Sequence, residues 1–264
     1  MALLLQPGFP LAGPTPPAYV RKQTYRPEGV HVPLVPACPV HGSMCDLVVI
    51  GGSAGGIPAL ITLLKALPAV FPLPILVVQH LPRQTPSRLP EVLRWNTKRP
   101  VKWAEDGEPL MPGTVYVGPA DRHLLVTPGG RVALSFGPPV GWWRPAVDSL
   151  FQSAADAYGE RVAAVVLSGV MWDGAKGIAS VARRGGITIV QDEVTADHFD
   201  MPASAIDLGG ADVIMSPGKI AEALQALWTP AYPDPSRMPV PPGDRHHATI
   251  EQPSSKVPLE MFFP

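Results

Sequence analysis

The sequence has few charged residues and no long apolar run. Charged residues make up 16% of the 264 positions and the net charge is −1, so charge gives no reason to expect nucleic acid or an anionic membrane as a partner. No apolar run approaches the roughly twenty residues that cross a bilayer. The apolar start MALLL has no basic residues before it and ends at Pro7. We therefore expect neither a signal peptide nor membrane insertion.

Cysteine is also scarce, since the chain has only Cys38 and Cys45. This usage is typical of a reducing compartment, and we expect a cytoplasmic protein. The segment CPVHGSMC adds His41 between the two cysteines, but three ligands without a nearby fourth do not make a structural zinc pattern. The sequence therefore predicts no metal site.

Proline, by contrast, is abundant and unevenly placed. Nine of the 35 prolines lie in residues 1–40 and nine more in residues 229–264. Proline lacks the amide donor that helices and central strands need, so these ends cannot sustain either. We predict extended or disordered tails at 1–43 and 229–264, which flank one folded domain at 44–228.

Within this domain, short β-branched runs alternate with segments of helical spacing. The predicted strands are 46–51, 74–79, 113–118, 131–136, 163–168, 187–191 and 212–216. The predicted helices are 58–67, 87–95, 146–157, 174–184, 202–208 and 218–227. Several strands are apolar on both faces, so we predict an α/β fold with a doubly wound, mostly parallel sheet and helices on both faces. The strands at 113–118 and 131–136 are expected to pair as a small antiparallel excursion at one edge.

Three reactive side chains follow predicted strands. Ser53 comes after the first strand, His80 after the second, and Asp173 after the fifth and a short loop. Ligands of open parallel sheets bind outside the carboxyl ends of the strands, and these three residues should reach the same edge. Together they could form a nucleophile, a base and a group that orients the base.

Each of the three also has an ordinary structural interpretation. Ser53 suits a glycine turn or a helix N-cap, His80 a hydrogen-bonded core histidine, and Asp173 a helix cap. The segment GGSAGG lacks the second glycine of the dinucleotide pattern G-x-G-x-x-G but fits the nucleophile-elbow pattern G-x-S-x-G, in which glycines turn the chain sharply and expose the hydroxyl. An α/β-hydrolase order would instead need His198 or a tail histidine, His246 or His247, as base. His123 is expected at a strand start, away from this edge.

Several ordered motifs resemble one family, the catalytic domain of the chemotaxis protein-glutamate methylesterase CheB. The family's G-x-S-x-G-G, Q-H-M-P and G-M-G-x-D-G motifs are similar to GGSAGG, QHLP and GVMWDG in this chain. The segments EDGEPLMPGTVYVGP, GPPVGWWRPAVDSLFQS and MPASAIDLGGAD match further family signatures. The resemblance covers about residues 46–227, almost the whole predicted domain.

This resemblance implies an activity and a site. The family's serine, histidine and aspartate fall on Ser53, His80 and Asp173, the residues selected from the strand ends. The family hydrolyses glutamate γ-methyl esters on chemoreceptors and releases methanol, and some members deamidate glutamine. The resemblance implies no metal or organic cofactor, and a methylated chemoreceptor or similar helical signalling protein as partner.

The chain departs from the family pattern in two loops. Val170 stands where the family has methionine, and Met171 and Trp172 replace its glycine and variable residue. Trp142 and Trp143 stand where more polar residues are common in the family. They are expected either to be core residues or to form a contact surface for a partner helix. The altered GVMWDG loop keeps open the alternative of a catalytically degenerate binding module. A small-molecule carboxylesterase is a second alternative.

Regulation is expected to differ as well. Family members under full control carry an N-terminal phosphoacceptor receiver domain, and the 45 residues before the first predicted strand are too short and proline-rich for one. We therefore expect any regulator, a receiver or another signalling partner, to act in trans.

Overall fold

A computed structural model describes residues 45–81 and 87–228 of the chain. The predicted tails at 1–43 and 229–264 lie outside the described residues. The strands are β1 (Leu47–Gly52), β2 (Ile75–Gln79), β3 (Val101–Trp103), β4 (Val115–Val117), β5 (His123–Val126), β6 (Val132–Ser135), β7 (Val162–Val166), β8 (Ile187–Gln191) and β9 (Val213–Met215). The helices are α1 (Gly56–Ala66), α2 (Leu89–Thr97), α3 (Val147–Tyr158), α4 (Ala175–Arg183), α5 (Asp200–Asp207) and α6 (Pro217–Leu227).

Within the described residues, seven strands form one parallel sheet in the order β3-β4-β2-β1-β7-β8-β9. The chain starts at the central strand β1, builds outward through β2, and returns to the other side of β1 with β7. This reversal places a crevice at the carboxyl ends of β1, β2 and β7, where ligands of doubly wound sheets bind. The predicted doubly wound α/β fold is confirmed.

Helices cover both faces of the sheet, and the side chains of β1 alternate between them. Val48 and Ile50 pack with α1, α2 and α6 in one cluster, whereas Leu47 and Val49 pack with α3, α4 and α5 in the other. Each fully buried aliphatic side chain of this kind contributes about 1.5–3 kcal/mol. Burial on both faces explains why these strands read as continuous apolar runs.

A small antiparallel pair is present as predicted, but it does not join the two strands that were expected to form it. The strand predicted at 113–118 is β4, which lies inside the parallel sheet between β2 and β3 because its three residues are buried. The real partner of β6 is β5, and the two form a separate two-stranded sheet. Strand β5 lies between the two predicted strands, in a segment to which no strand was assigned. Strand β3 was not predicted either, since it has only three residues.

The other predicted elements agree with the structure to within two residues at each end. Over 45–81 and 87–228, the structure contains no helix with the length and apolar character that a membrane crossing requires.

Candidate active site

The structure brings Ser53, His80 and Asp173 together at one edge of the sheet. Ser53 directly follows β1, His80 directly follows β2, and Asp173 lies in the loop between β7 and α4. Since β1 pairs with both β2 and β7, the three loops are neighbours. Their adjacency follows from strand order and direction alone.

The three side chains form a chain of hydrogen bonds. His80 Nδ1 lies 3.1 Å from Ser53 Oγ, and His80 Nε2 lies 2.7 Å from Asp173 Oδ2. Because a carboxylate accepts, Nε2 carries the ring proton of the neutral imidazole and Nδ1 is free to accept the serine proton. The side chains of His80 and Asp173 are 3% and 4% exposed, so both contacts are shielded from water.

The backbone around Ser53 is fixed by several hydrogen bonds. The Ser53 N–H donates to Ser168 O at 2.9 Å, and the Ser53 carbonyl accepts from Gln79 Nε2 at 2.7 Å and from Gly56 N at 2.9 Å. Gly55 turns the chain into α1 with φ of 73°, a conformation that favours glycine. Ser53 is only 7% exposed, so its hydroxyl is less open than the elbow pattern suggested.

The carboxylate of Asp173 is held by the N-terminus of α3. Asp173 Oδ2 accepts from Val147 N at 2.7 Å, and Oδ1 accepts from Asp148 N at 2.9 Å. Asp148 in turn accepts from the N–H groups of Gly174 at 3.0 Å and Gly177 at 2.7 Å. The N-terminal end of a helix favours negative charge, so α3 orients Asp173 toward His80.

Asp148 is the second carboxylate of the site. Burial raises the pKa of Asp148, and repulsion from the nearby Asp173 carboxylate raises it further. Hydrogen bonds from Gly177 and Gly174 and the positive charge of Lys176 oppose this rise in pKa. Asp148 was not selected from the sequence, because it follows no predicted strand, although it lies in the family-like segment GPPVGWWRPAVDSLFQS.

Tryptophans surround the outer side of the site. The indole of Trp143 stacks on the imidazole of His80, with ring centroids 3.9 Å apart and ring planes 8° from parallel. Trp142, Trp143 and Trp172 line a cleft of about 110 Å³ that Asp173 also lines. Trp142 and Trp172 are exposed on this cleft.

Residues 48–224 match the family described as CheB methylesterase. The chain belongs to this family. An Anaeromyxobacter dehalogenans relative named protein-glutamate methylesterase/protein-glutamine glutaminase 2 is 40% identical over 191 residues, which cover 72% of this chain and 56% of that protein. The Myxococcus xanthus protein-glutamate methylesterase FrzG is 38% identical, over 67% of this chain and 53% of that protein. The chain thus spans about half the length of these two relatives.

A solved structure of a family member has the same fold. The CheB methylesterase catalytic domain of Thermotoga maritima superposes with a TM-score of 0.66 at 39% sequence identity. The match covers 69% of this chain and 98% of that domain. The resemblance inferred from the motifs is therefore confirmed.

The loop between β7 and α4 contains a backbone position that explains the family's glycine. Met171, where the family motif has glycine, has φ of 70°. Non-glycine residues pay about 1–2 kcal/mol in this conformation. Gly169, earlier in the loop, has no room for a side chain: an added Cβ would lie 2.9 Å from Ser53 Cβ and 2.1 Å from Met201 Sδ.

Two other histidines contact the site differently from the predictions. His123 is buried, and its Nδ1 accepts from Ala146 N at 3.2 Å, next to the start of α3 that holds Asp173. The prediction that His123 lies away from this edge of the sheet is wrong, because the two-stranded sheet that contains His123 packs against α3. The carbonyl of His198 accepts from Gly169 N at 3.0 Å, so the His198 loop supports the loop of Asp173 through its backbone.

The segment CPVHGSMC, which was considered as a metal site, lies mostly outside the described residues. Cys38 and His41 lie outside the described residues. Cys45 is buried, its thiol donates to Leu47 O at 3.3 Å, and burial raises its pKa to about 12. Over 45–81 and 87–228, no three histidine, cysteine, aspartate or glutamate residues are grouped so that they could hold a metal ion.

Proposed function

We propose that this chain is a serine hydrolase that demethylates glutamate γ-methyl esters on a chemoreceptor-like protein and releases methanol. The observation that carries the proposal is the hydrogen-bonded series from Ser53 Oγ through His80 to Asp173 Oδ2, in a chain of the CheB methylesterase family. The names of the relatives support the substrate class.

In the first half of the reaction, Ser53 Oγ attacks the γ-carbonyl carbon while His80 Nδ1 takes the hydroxyl proton. Asp173 keeps the Nε2–H tautomer and stabilises the imidazolium that forms. The tetrahedral intermediate collapses, His80 Nδ1 returns the proton to the leaving oxygen, and methanol departs. The glutamyl group is then esterified to Ser53.

In the second half, water attacks this acyl ester with His80 Nδ1 as the base. The products are the free glutamate carboxylate and the regenerated Ser53 hydroxyl. A glutamine side chain enters the same sequence with ammonia as the leaving group. This shared chemistry supports deamidation as a second activity, in line with the glutaminase part of the A. dehalogenans relative's name.

Backbone N–H groups near Ser53 are suited to stabilise the oxyanion. The N–H groups of Ser53 and Gly169 are committed to the carbonyls of Ser168 and His198. By contrast, the N–H groups of the residues that follow them, Ala54 and Val170, donate to no acceptor within the described part of the chain. Preorganised donors of this kind are worth about 10²–10³-fold in kcat each.

The proposed partner is a methylated receptor helix. This choice rests on the family resemblance, on the protein-bound glutamate in the relatives' names, and on the exposed tryptophans that line the cleft beside Asp173. A signalling partner acting in trans and a cytoplasmic location stay predictions from the sequence. A degenerate binding module would not require the ordered hydrogen bonds of His80 to both neighbours, so the site geometry favours turnover.

The experiment is to incubate the purified chain with methylated receptor and measure methanol. Ser53→Ala should lower the rate by at least about 10³-fold, since the nucleophile is lost. Ser216→Ala, which changes a serine at the start of α6, should leave the rate unchanged. A fluorophosphonate probe should label Ser53.

Three results would reject the proposal or redirect it. If Ser53→Ala releases methanol at the rate of the unaltered chain, Ser53 is not the nucleophile. If the chain binds receptor but neither releases methanol nor reacts with the probe, it is a binding module. A far higher kcat/KM on a short acyl ester than on methylated receptor would indicate a small-molecule carboxylesterase.

A further inference from the structure

Trp143 stacks on the proposed catalytic base His80. Its indole lies flat against the imidazole, with centroids 3.9 Å apart and an interplanar angle of 8°. Both hydrogen bonds of His80, to Ser53 and to Asp173, use ring nitrogens whose bonding direction lies in the ring plane. The indole therefore covers one face of the ring and leaves both nitrogens engaged.

The segment that bears Trp143 is itself fixed. Trp143 and Val140 exchange two backbone hydrogen bonds of 3.1 Å around a turn in which Gly141 has φ of 59°. The next residue, Arg144, pairs with Asp121 at 2.7 Å and donates to the carbonyl of Gly137 at 3.0 Å. The indole is thus held from the backbone side before any substrate binds.

We propose that Trp143 is a positioning residue for His80, an inference that rests on the hydrolase function proposed above. A parallel indole at this distance blocks rotation of the imidazole out of the plane shared by Ser53 Oγ and Asp173 Oδ2. It also presents its π face to the imidazolium that forms when the serine proton is transferred, an arrangement that favours the cation. Both effects act on the transition state more than on the bound substrate.

The neighbouring Trp142 provides a matched comparison. It belongs to the same turn and lines the same cleft, but it is 56% exposed, and the stacking contact with His80 is made by Trp143. A role in general packing or in substrate contact would be shared by both tryptophans. A role through His80 belongs to Trp143 alone.

The test compares Trp143→Leu and Trp143→Phe with Trp142→Leu in the same turn and with Trp95→Leu outside the cleft. Leucine keeps apolar bulk but has no π face, whereas phenylalanine keeps a face. We expect Trp143→Leu to lower kcat for methanol release roughly tenfold, with KM unchanged to within about twofold. Trp143→Phe should restore most of this kcat. Trp142→Leu should act through KM, because Trp142 lines the proposed receptor cleft. Trp95→Leu, at an exposed tryptophan that contacts Arg88 instead, should leave both kcat and KM unchanged. Thermal unfolding of each variant reports on folding.

A second readout does not depend on the methylated substrate. The reaction of Ser53 with a fluorophosphonate also requires His80 as base. The labelling rate should therefore fall in Trp143→Leu and recover in Trp143→Phe. If the chain reacts with the probe but releases no methanol, the proposed substrate is wrong, while the labelling rates still test Trp143. If the unaltered chain shows neither reaction, both proposals fail.

Other results would overturn the positioning role specifically. Equal losses of kcat in Trp143→Leu and Trp143→Phe would show that the π face is irrelevant. A rise in KM with unchanged kcat would make Trp143 a substrate contact. Unchanged kcat and labelling rate in Trp143→Leu would leave the stack without a role in the reaction.

Discussion

His80 directs Nε2 at Asp173 Oδ2, 2.7 Å away, and thereby leaves Nδ1 to face Ser53 Oγ at 3.1 Å. In the serine-protease arrangement the two nitrogens have the opposite partners, so the active tautomer here is the Nε2–H form. The same carboxylate accepts N–H groups from the start of α3. The orientation of the base therefore depends on a helix N-terminus as well as on its own strand.

Asp173→Asn should lower kcat by about 10³–10⁴-fold, because an amide nitrogen facing Nε2 would favour the wrong tautomer. The measurement is steady-state methanol release, with thermal unfolding to check the fold. Asp156→Asn, at an exposed aspartate paired with Arg184, is the control and should retain activity. A loss of less than tenfold in Asp173→Asn would mean that the tautomer is fixed by something other than Asp173.

Gly169→Ala should strongly lower activity, although Gly169 carries no reactive group. The new methyl would meet Ser53 Cβ at 2.9 Å and Met201 Sδ at 2.1 Å, so the loop must move away from the proposed nucleophile. We expect kcat to fall by at least about 10²-fold, as small displacements of reacting groups do. Gly218→Ala is the control, because its Cβ would enter open space in α6. Full activity in Gly169→Ala would contradict the close packing of this loop on Ser53.

The neighbourhood of Ser53, His80 and Asp173 was predictable because parallel strands end at the same edge, whatever their exact bounds. The pairing of β4 was not, since three buried residues suit an inner strand as well as a hairpin. The stack of Trp143 on His80 joins residues that are 63 positions apart in the sequence. It depends on the conformation of a turn and on side-chain rotamers, and neither leaves a periodic signal in the sequence. Asp148 was missed for a similar reason: its partners are backbone N–H groups. The catalytic roles themselves stay a proposal.

Met171 should be a position at which glycine is preferred over alanine. Met171→Gly and Met171→Ala lose the same side chain beyond Cβ, but only alanine keeps the strain of a φ of 70°. We expect the glycine variant to be more stable by about 1 kcal/mol in denaturant unfolding. At Val170, which does not have a positive φ, the order should reverse, with alanine more stable by about 0.5–1 kcal/mol. The same order at both positions would contradict the strained conformation.

Trp172→Ala should weaken binding of the receptor without affecting the reaction centre. Trp172 is 43% exposed on the cleft beside Asp173, where a helical substrate would bury it. We expect KM for methylated receptor to rise roughly tenfold, as for a tryptophan at the centre of an interface. Hydrolysis of a short soluble ester should not change. Trp95→Ala, at an exposed tryptophan that contacts Arg88 instead, is the control. Equal effects on receptor and short ester would place Trp172 in the reaction rather than in recognition.

Asp148 should make the protein less stable as the pH rises through its raised pKa. Burial raises the pKa of Asp148 above its ordinary value of 3.8, and the Asp173 carboxylate adds to this rise. In that pH window the folded chain binds more protons than the unfolded chain, so the free energy of unfolding falls with increasing pH.

The non-titrating variant Asp148→Asn isolates this effect, because its side-chain oxygen can still accept from Gly174 and Gly177. The difference in unfolding free energy, original chain minus variant, should be largest below pH 3.8 and should decline until the pH exceeds the raised pKa. Repeating the pair in an Asp173→Asn background removes the carboxylate repulsion and should reduce the decline. A difference that grows with pH would mean that the fold stabilises the ionised form of Asp148. The N-terminal ends of α3 and α4 would then bind Asp148 and Asp173 with both carboxylates ionised.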